Sequence, residues 1–304
     1  MLTPIVVTAF NRPIKLLRCL TQLKDLDNPI YIWIDGPRLE SNSDWQLVNE
    51  CKLLSENIGL KNCTVISNDF NCGTDSVING ISWVLDRHEQ VIVVEDDILV
   101  SKDFILFCEK MLSLYKEDRS IGCISGSNNV PEEHLNAPND CFRFSCFFYA
   151  WGWATWKDRW EIFLKTKSYD EKDLVWPVMA NSYLTKYRWR EVFKTLRDQN
   201  VIVPWDYKWI FVMWKNKWLS IVPNVNLVQN IGFDEEATHT KKRPAWTPDK
   251  YDSIDGVLTF KIPMQDLKAD KWSVENVHFS SAFIILKRLL RKYLTFFTKL
   301  SDRK

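Results

Sequence analysis

Charge of one sign is missing from this chain: Lys plus Arg number 40 against 39 for Asp plus Glu, for a net of +1. Such a balance sets up no global field toward nucleic acid, so no nucleic-acid partner is expected. Paired cysteine spacing is missing as well. The eight cysteines, at 19, 51, 63, 72, 108, 123, 141 and 146, include no Cys-x-x-Cys, and several stand in apolar surroundings such as residues 106–111. They read as reduced, mostly buried thiols rather than a zinc site. No uninterrupted apolar run reaches transmembrane length, and the first strand begins within five residues of Met1, leaving no room for a signal peptide or N-terminal anchor. The expectation is a cytoplasmic, soluble catalytic part. Internal repeats and low-complexity linkers are also lacking.

What is present is apolar mass, 46% hydrophobic and 13% aromatic over 304 residues, enough for one large domain or one and a half. The small net charge hides an uneven distribution. Residues 279–304 carry seven basic side chains (Lys287, Arg288, Arg291, Lys292, Lys299, Arg303, Lys304) against Asp302, a net of +6 that leaves −5 for the rest.

Residues 4–10 (PIVVTAF) predict a strand, and Asn11-Arg12-Pro13 the turn into a helix whose Ile14, Leu17, Leu20 and Leu23 have helical spacing. Further strands are expected at 29–34, 63–67, from Val91, at 121–125 and at 218–223. Helices are expected at 45–57, 75–86, 103–115, 183–199 and 205–217. Strands alternating with helices mean an α/β fold with a mostly parallel central sheet flanked by helices, whose ligands bind beyond the carboxyl ends of the strands. Those ends carry Asn11 and Arg12, Asp35 and Gly36, residues 68–73, and Glu95 to Asp97. The chain divides into a catalytic domain over 1–240, a wrapping arm over 241–278 and a basic amphipathic C-terminal helix over 279–304. On that helix Phe283, Leu286, Leu290, Tyr293 and Phe297 can share one face. Such a helix can lie in an anionic membrane interface as a peripheral contact, dock on the domain, or pair with a second subunit.

The segment VIVVEDDILV (residues 91–100) runs an apolar strand straight into Glu95, Asp96 and Asp97. Three adjacent carboxylates at a buried strand end repel one another unless a cation or strong donors compensate them. Hard oxygen ligands in that place suit Mg²⁺ or Mn²⁺, with other coordination positions left for water and a substrate's phosphates. Taken alone, EDD reads equally well as an acidic turn that stops a strand.

On these motifs and their order the chain resembles the GT-A glycosyltransferases, specifically the inverting β-1,2-N-acetylglucosaminyltransferase I family and related bacterial sugar transferases, over roughly residues 4–240. The resemblance implies that Arg12 of AFNRP contacts the nucleotide and that Asp35 of IWIDG reads uracil. VVEDD is similar to the family's variant of the Asp-X-Asp motif, which makes Asp97 the ligand of Mn²⁺ or Mg²⁺. Glu95 and Asp96 then contact ribose, sugar or metal-bound water. CISGSNN resembles the strand and asparagine-containing loop after the metal motif, implying a part for Asn128. Trp151-Gly152-Trp153 resembles a donor-pocket segment, and Trp205-Asp206 a Trp-Asp motif that makes Asp206 the general base. His239 falls near a loop histidine and is implied as a phosphate contact or second metal ligand.

Residues 161–204 and 241–304 align with no part of that family. The implied reaction is a single displacement with inversion, from a UDP-sugar, UDP-GlcNAc among the candidates, to a glycan or lipid-linked hydroxyl. Bacterial surface polysaccharide synthesis at the inner face of the membrane is the implied setting. A diphosphate clamp is expected from Arg12, His239 and the 232–243 loop, with Lys241, Lys242 and Arg243 as further cations. Two other classes stay open. A sugar-phosphate nucleotidyltransferase would share the sheet, although AFNRPIK lacks the glycine-rich loop it should carry. A non-catalytic, membrane-associated sugar-nucleotide-binding protein would tolerate loss of the carboxylates.

Overall fold

The computed structural model describes residues 2–180, 182–198, 204–235 and 241–278. In chain order its strands and helices are β1 (Ile5–Ala9), α1 (Pro13–Gln22), β2 (Ile30–Ile34), α2 (Asn42–Asn57), β3 (Cys63–Ser67), α3 (Asp75–Leu85), β4 (Gln90–Glu95), β5 (Ile98–Val100) and α4 (Lys102–Leu114). There follow β6 (Ile121–Ser125), β7 (Phe142–Ser145), β8 (Trp153–Trp156), α5 (Lys157–Lys165), α6 (Tyr183–Thr195), α7 (Trp205–Lys215), β9 (Leu219–Pro223), β10 (Val228–Asn230) and α8 (Leu267–Ser273). The basic tail at 279–304 and His239 lie outside the described residues. Among the described residues no helix is long and apolar enough to cross a membrane.

The fold is a mixed α/β layer structure around one large sheet of order β3-β2-β1-β4-β8-β6-β9-β7. β1 pairs parallel with β2 and β4, β2 with β3, and β6 with β9. β8 is inserted antiparallel between β4 and β6, and β7 runs antiparallel to β9. The sheet is therefore mostly parallel, as expected. Because β8 reverses direction, the carboxyl ends of β1, β2, β4 and β6 open on the same rim as the start of β8.

Alternation along the strands separates two cores. Ile5, Val7, Ile92 and Val94 pack with Leu16, Leu20, Phe104 and Met111 on the face of α1 and α4. Val6, Val91 and Val93 pack with Trp153, Trp160, Trp209 and Trp214 on the face of α5 and α7. Most of the chain's tryptophan is spent in this second layer, where Trp153 stacks on Trp205 with ring centroids 5.4 Å apart. The face of α1 differs from the expected one: Ile14 and Leu17 are exposed, and Lys15, Leu16, Cys19 and Leu20 are buried. The helix register after Pro13 leaves the i, i+4, i+7 stripe Leu16, Leu20, Leu23 to face the sheet.

After the acidic triplet the chain forms β5, which pairs antiparallel with β10. Residues 249–270 are held closely against the preceding strands. Asn226 and Gln229 donate to the carbonyls of Lys250 and Asp249 at 2.8 and 2.6 Å. Farther on, buried Asp270 accepts from the Cys146 amide at 3.0 Å and from Ser145 Oγ.

Candidate functional site

The acidic triplet divides across the sheet. Glu95 is the last residue of β4 and, two positions on from Val91 and Val93, projects toward the tryptophan layer and α7. Asp96 and Asp97 turn to the α1 side, where Arg12 meets them. Arg12 occupies the N-cap position of α1, but Pro13 follows it and its side chain caps nothing, which leaves the guanidinium free for the site. It donates through Nη1 to Asp97 Oδ2 at 2.7 Å and through Nη2 to Asp96 Oδ1. Burial works against the charge of Arg12, and Asp96 and Asp97 more than offset it, raising its pKa. Burial, then Asp97 and Asp96, push the Glu95 carboxyl upward; Asp206 adds to the same effect across the sheet face. Burial also raises Asp96, with Arg12 opposing.

Asp206 is brought there by helix geometry and aromatic packing. Trp205 opens α7 and stacks on Trp153, so the first turn of the helix is pinned to the rim end of β8. Asp206 Oδ1 accepts from the Tyr207 amide at 2.9 Å. A carboxylate in the first turn of a helix is stabilised in its ionised form by the unpaired N–H groups there.

Asp97 has the features of a metal ligand. Its Oδ1 is buried with no hydrogen-bond partner, while Oδ2 is held by Arg12. An unpaired buried carboxylate oxygen is costly unless a cation approaches it, and a hard oxygen donor fits Mn²⁺ or Mg²⁺. Among the described residues no three His, Cys, Asp or Glu side chains are grouped to hold a metal. Among the described residues, Asp97 Oδ1 is the oxygen donor the acidic motif leaves without a protein partner.

Several features were invisible in the sequence pattern. Gly232 lies directly on the Asp97 carboxylate: a Cβ there would be 2.1 Å from Oδ2. The β5–β10 pairing and the Ile231 amide, which donates to the Asp97 carbonyl at 2.9 Å, hold it there. A glycine just past a strand is a signal of close backbone approach that could have flagged it. Lys15, buried on α1, pairs with Asp234 at 2.7 Å and ties this segment to the helix bearing Arg12. Asp44 of α2 accepts from Asn11 Nδ2 at 2.9 Å and from Arg38 Nη2 at 2.9 Å, joining the loops after β1 and β2.

Other expected residues have internal partners in this structure. Asp35 takes the amides of Gly36, Cys72 and Gly73 at 3.0, 2.9 and 3.2 Å and Asn71 Nδ2 at 2.9 Å, so it organises the 71–73 loop. A carboxylate has about four lone-pair positions, and these are filled. Asn128 uses its whole amide internally, accepting from Val130 and Arg143 and donating to the carbonyls of Val130 and Asn224. The side chain braces this loop against Asn224, just past β9, and Arg143. Trp153 is fully buried in the tryptophan core, where a donor would not touch it. Gly152 adopts φ +63°, and a Cβ on it would press on Val228 Cγ1 at 2.8 Å, so core packing accounts for the glycine. Trp151 alone of that trio is half-buried at the rim. Lys241 pairs with Glu235 at 2.9 Å, and Arg243 turns to the carbonyls of Thr247 and Pro248 and to Asp249.

Residues 80–181 match the GNT-I family, and over that stretch the chain is similar to it. Among solved structures, the mannosyltransferase PcManGT from Pyrobaculum calidifontis, in complex with GDP-Man and Mn²⁺, is similar at 13% identity. The overlap covers 69% of this chain and 68% of that one, with a TM-score of 0.37. GalNAc-T7, with UDP, GalNAc and Mn²⁺, is similar at 13% identity over 79% of this chain and 45% of that one, with a TM-score of 0.46. This chain therefore spans under half of GalNAc-T7. The galactosyltransferase LgtC, with donor and acceptor sugar analogs, is similar at 10% identity over 72% and 73% of the two chains, with a TM-score of 0.35.

Proposed function

We propose that this protein is a metal-dependent, inverting GT-A glycosyltransferase that moves a sugar from a UDP-sugar to a hydroxyl of a glycan or lipid-linked acceptor. UDP-GlcNAc is the first donor to try. The observation that carries this reading is the buried acidic motif at the strand end: Asp96 and Asp97 are both paired with Arg12, and Asp97 Oδ1 is left without a protein partner. A single displacement needs a base on the side of the reacting carbon opposite the leaving group, the part this reading gives to Asp206.

In this reading Asp97, whose Oδ1 has no protein partner, would hold Mn²⁺ or Mg²⁺, and His239 would be a further ligand or phosphate contact. The ion, when bound, neutralises charge on the diphosphate leaving group. Arg12 pairs with both Asp96 and Asp97 and presents its remaining donor surface to the phosphates. Asp35 contacts the uracil edge by exchanging one of its loop donors for a base N–H. Asp206 takes the proton of the acceptor hydroxyl as that oxygen bonds to C1. The bond from C1 to the phosphate oxygen breaks, and UDP leaves with the electron pair. Glu95 is a further contact for ribose, sugar or metal-bound water. Trp151 at the rim offers a ring face to the sugar. Assembly of a bacterial surface polysaccharide at the inner membrane face is the proposed setting.

The test is calorimetric titration of UDP and UDP-sugars, with and without Mn²⁺, into wild type and Asp97→Ala. Metal-dependent binding that disappears in the variant supports the site and ranks the donors. Binding of equal strength in Asp97→Ala would remove the metal assignment. Heat from other nucleoside diphosphates but none from UDP would redirect the donor.

A further inference from the structure

Residues 175–184 (VWPVMANSYL), between α5 and the first turn of α6, carry no charge. The segment is anchored from within. The Val175 amide donates to the Trp214 carbonyl at 3.4 Å, Trp176 packs on Trp214 and Phe193 with ring centroids 5.8 and 6.3 Å away, and Ala180 is fully buried. That anchoring leaves other side chains outside: Val178 is 64% exposed and Tyr183 82%, with Val175 and Leu184 at 45% each. Ser182 caps α6, accepting from the Thr185 amide at 3.3 Å, so a fixed helix start with Thr185 buried sets Tyr183 and Leu184 outward. Single exposed apolar side chains are ordinary, but four within ten uncharged residues make a surface that water solvates poorly.

The charge that follows is mostly of one sign. Over residues 174–197 Lys186, Arg188, Arg190, Lys194 and Arg197 stand against Glu191 alone, a net of +4. Lys194 and Arg197 are exposed, and Lys186 lies over the Trp176 ring at 5.2 Å. The acidic residues just before the segment have cationic partners: Glu171 pairs with Arg190 at 2.6 Å and Asp173 with Lys215 at 3.1 Å. The basic stretch 279–304, net +6, leaves the described chain beside the same helix, since His278 adjoins Trp189 of α6 with ring centroids 5.5 Å apart, and the turn at Val178–Ala180 lies against α8. These two segments together hold +10 and leave −9 for the remainder.

An exposed apolar segment beside clustered cations matches an anionic bilayer interface, where apolar and tyrosine side chains enter the headgroup boundary and Lys and Arg meet the phosphates. A second copy covering the segment would instead bring two surfaces of net +4 together. We propose that Val175, Val178, Tyr183 and Leu184, with the basic side of α6, form a docking face for an anionic lipid surface, and that the cations of 279–304 bind the same lipids. Trp189 of α6 also meets Tyr207, the residue after Asp206, edge-on at 6.1 Å, so the docking face and the candidate base belong to one packed unit. Resting on the glycosyltransferase reading, this selects a lipid-linked acceptor over a soluble glycan; the docking face itself does not depend on that reading.

Vesicle flotation of the full chain, with no sugar nucleotide present, tests the docking face. Wild type should float with vesicles of equal parts phosphatidylcholine and phosphatidylglycerol, far less with phosphatidylcholine alone, and less as salt is raised. Val178→Ser combined with Tyr183→Ser should weaken that binding about tenfold or more. Tyr183→Trp should match or exceed wild type, a readout that stands even where the double variant folds poorly. UDP titration into each variant should equal that into wild type. Absence of wild-type flotation on the anionic vesicles, a folded double variant that floats like wild type, or Tyr183→Trp floating less than wild type overturns the docking face. So does a wild-type dimer in sedimentation that the double variant converts to monomer, which would make the segment a contact between copies. Vesicle binding in a protein that takes up no UDP keeps the docking face and removes the donor reading, while UDP binding without vesicle binding does the reverse.

Discussion

Replacing Gly232 by alanine isolates the contact between the β10 segment and the acidic motif. Its φ lies outside the left-handed region, so alanine meets no backbone penalty and the whole effect is steric. The new methyl would lie 2.1 Å from Asp97 Oδ2, 2.8 Å from its Cγ and 3.1 Å from Asn230 Oδ1, where 3.0 Å is the practical lower limit. The carboxylate must therefore retreat by about 0.9 Å or the strand must lift. Oδ2 is held by Arg12 at 2.7 Å, and moving it that far breaks a charge-assisted hydrogen bond worth about 1.5–3 kcal/mol. If Asp97 binds the ion, affinity for UDP with Mn²⁺ should fall about 10- to 100-fold. Calorimetry gives the affinity, and thermal unfolding checks that the fold persists, since β5 and β10 pair through backbone groups alanine retains. A folded Gly232→Ala protein that binds UDP and Mn²⁺ like wild type would refute both the contact and the ligand assignment.

Asp206→Asn should keep the bond from the Tyr207 amide and leave UDP affinity unchanged, while kcat falls about 10²- to 10⁴-fold; a matching rise in KM for the donor would instead make Asp206 a binding residue. The Asp44 carboxyl is lowered to about 2, chiefly by the Arg38 hydrogen bond, against burial and with help from Asn11. A folded pKa below the unfolded one contributes stability that is complete above about pH 4 and lost as pH falls through about 2. With Arg38 largely exposed, the contribution is on the order of 1 kcal/mol. The urea midpoint of wild type should converge on that of Asp44→Asn as pH drops through that window, and parallel curves would contradict the pairing. Gly80→Ala sets helix propensity, a gain of about 1 kcal/mol, against a methyl 2.8 Å from Trp33 Cγ, a cost of about 1–3 kcal/mol. The overpacking should win, and urea denaturation showing net stabilisation would mean that Trp33 moves aside freely.

The parallel sheet and its functional rim were legible in the linear order of residues. Short β-branched strands alternating with helices force right-handed crossovers, and these place the loops after β1, β2 and β4 on one edge whatever fills them. Arg12, Asp35 and the acidic triplet could thus be grouped before any contact was known. The helix of residues 205–217 was equally readable, which set Asp206 at a helix start. The sequence did not indicate how the groups would pair once there. The partners lie far apart along the chain: Arg12 and Asp96 are separated by 84 residues, and Lys15 and Asp234 by 219. Backbone periodicity carries no information about such polar pairings. Asp35 and Asn128 looked available because a side chain's free lone pairs are a property of its surroundings. Trp151 and Trp153 had the same standing in sequence, yet packing buried one and left the other at the rim. Strand alternation told two faces apart, but only the antiparallel insertion of β8, the docking of α7 against it and the return of β10 over β5 decided that Trp205 would stack on Trp153 at the rim while Asp97 met Arg12 and Gly232.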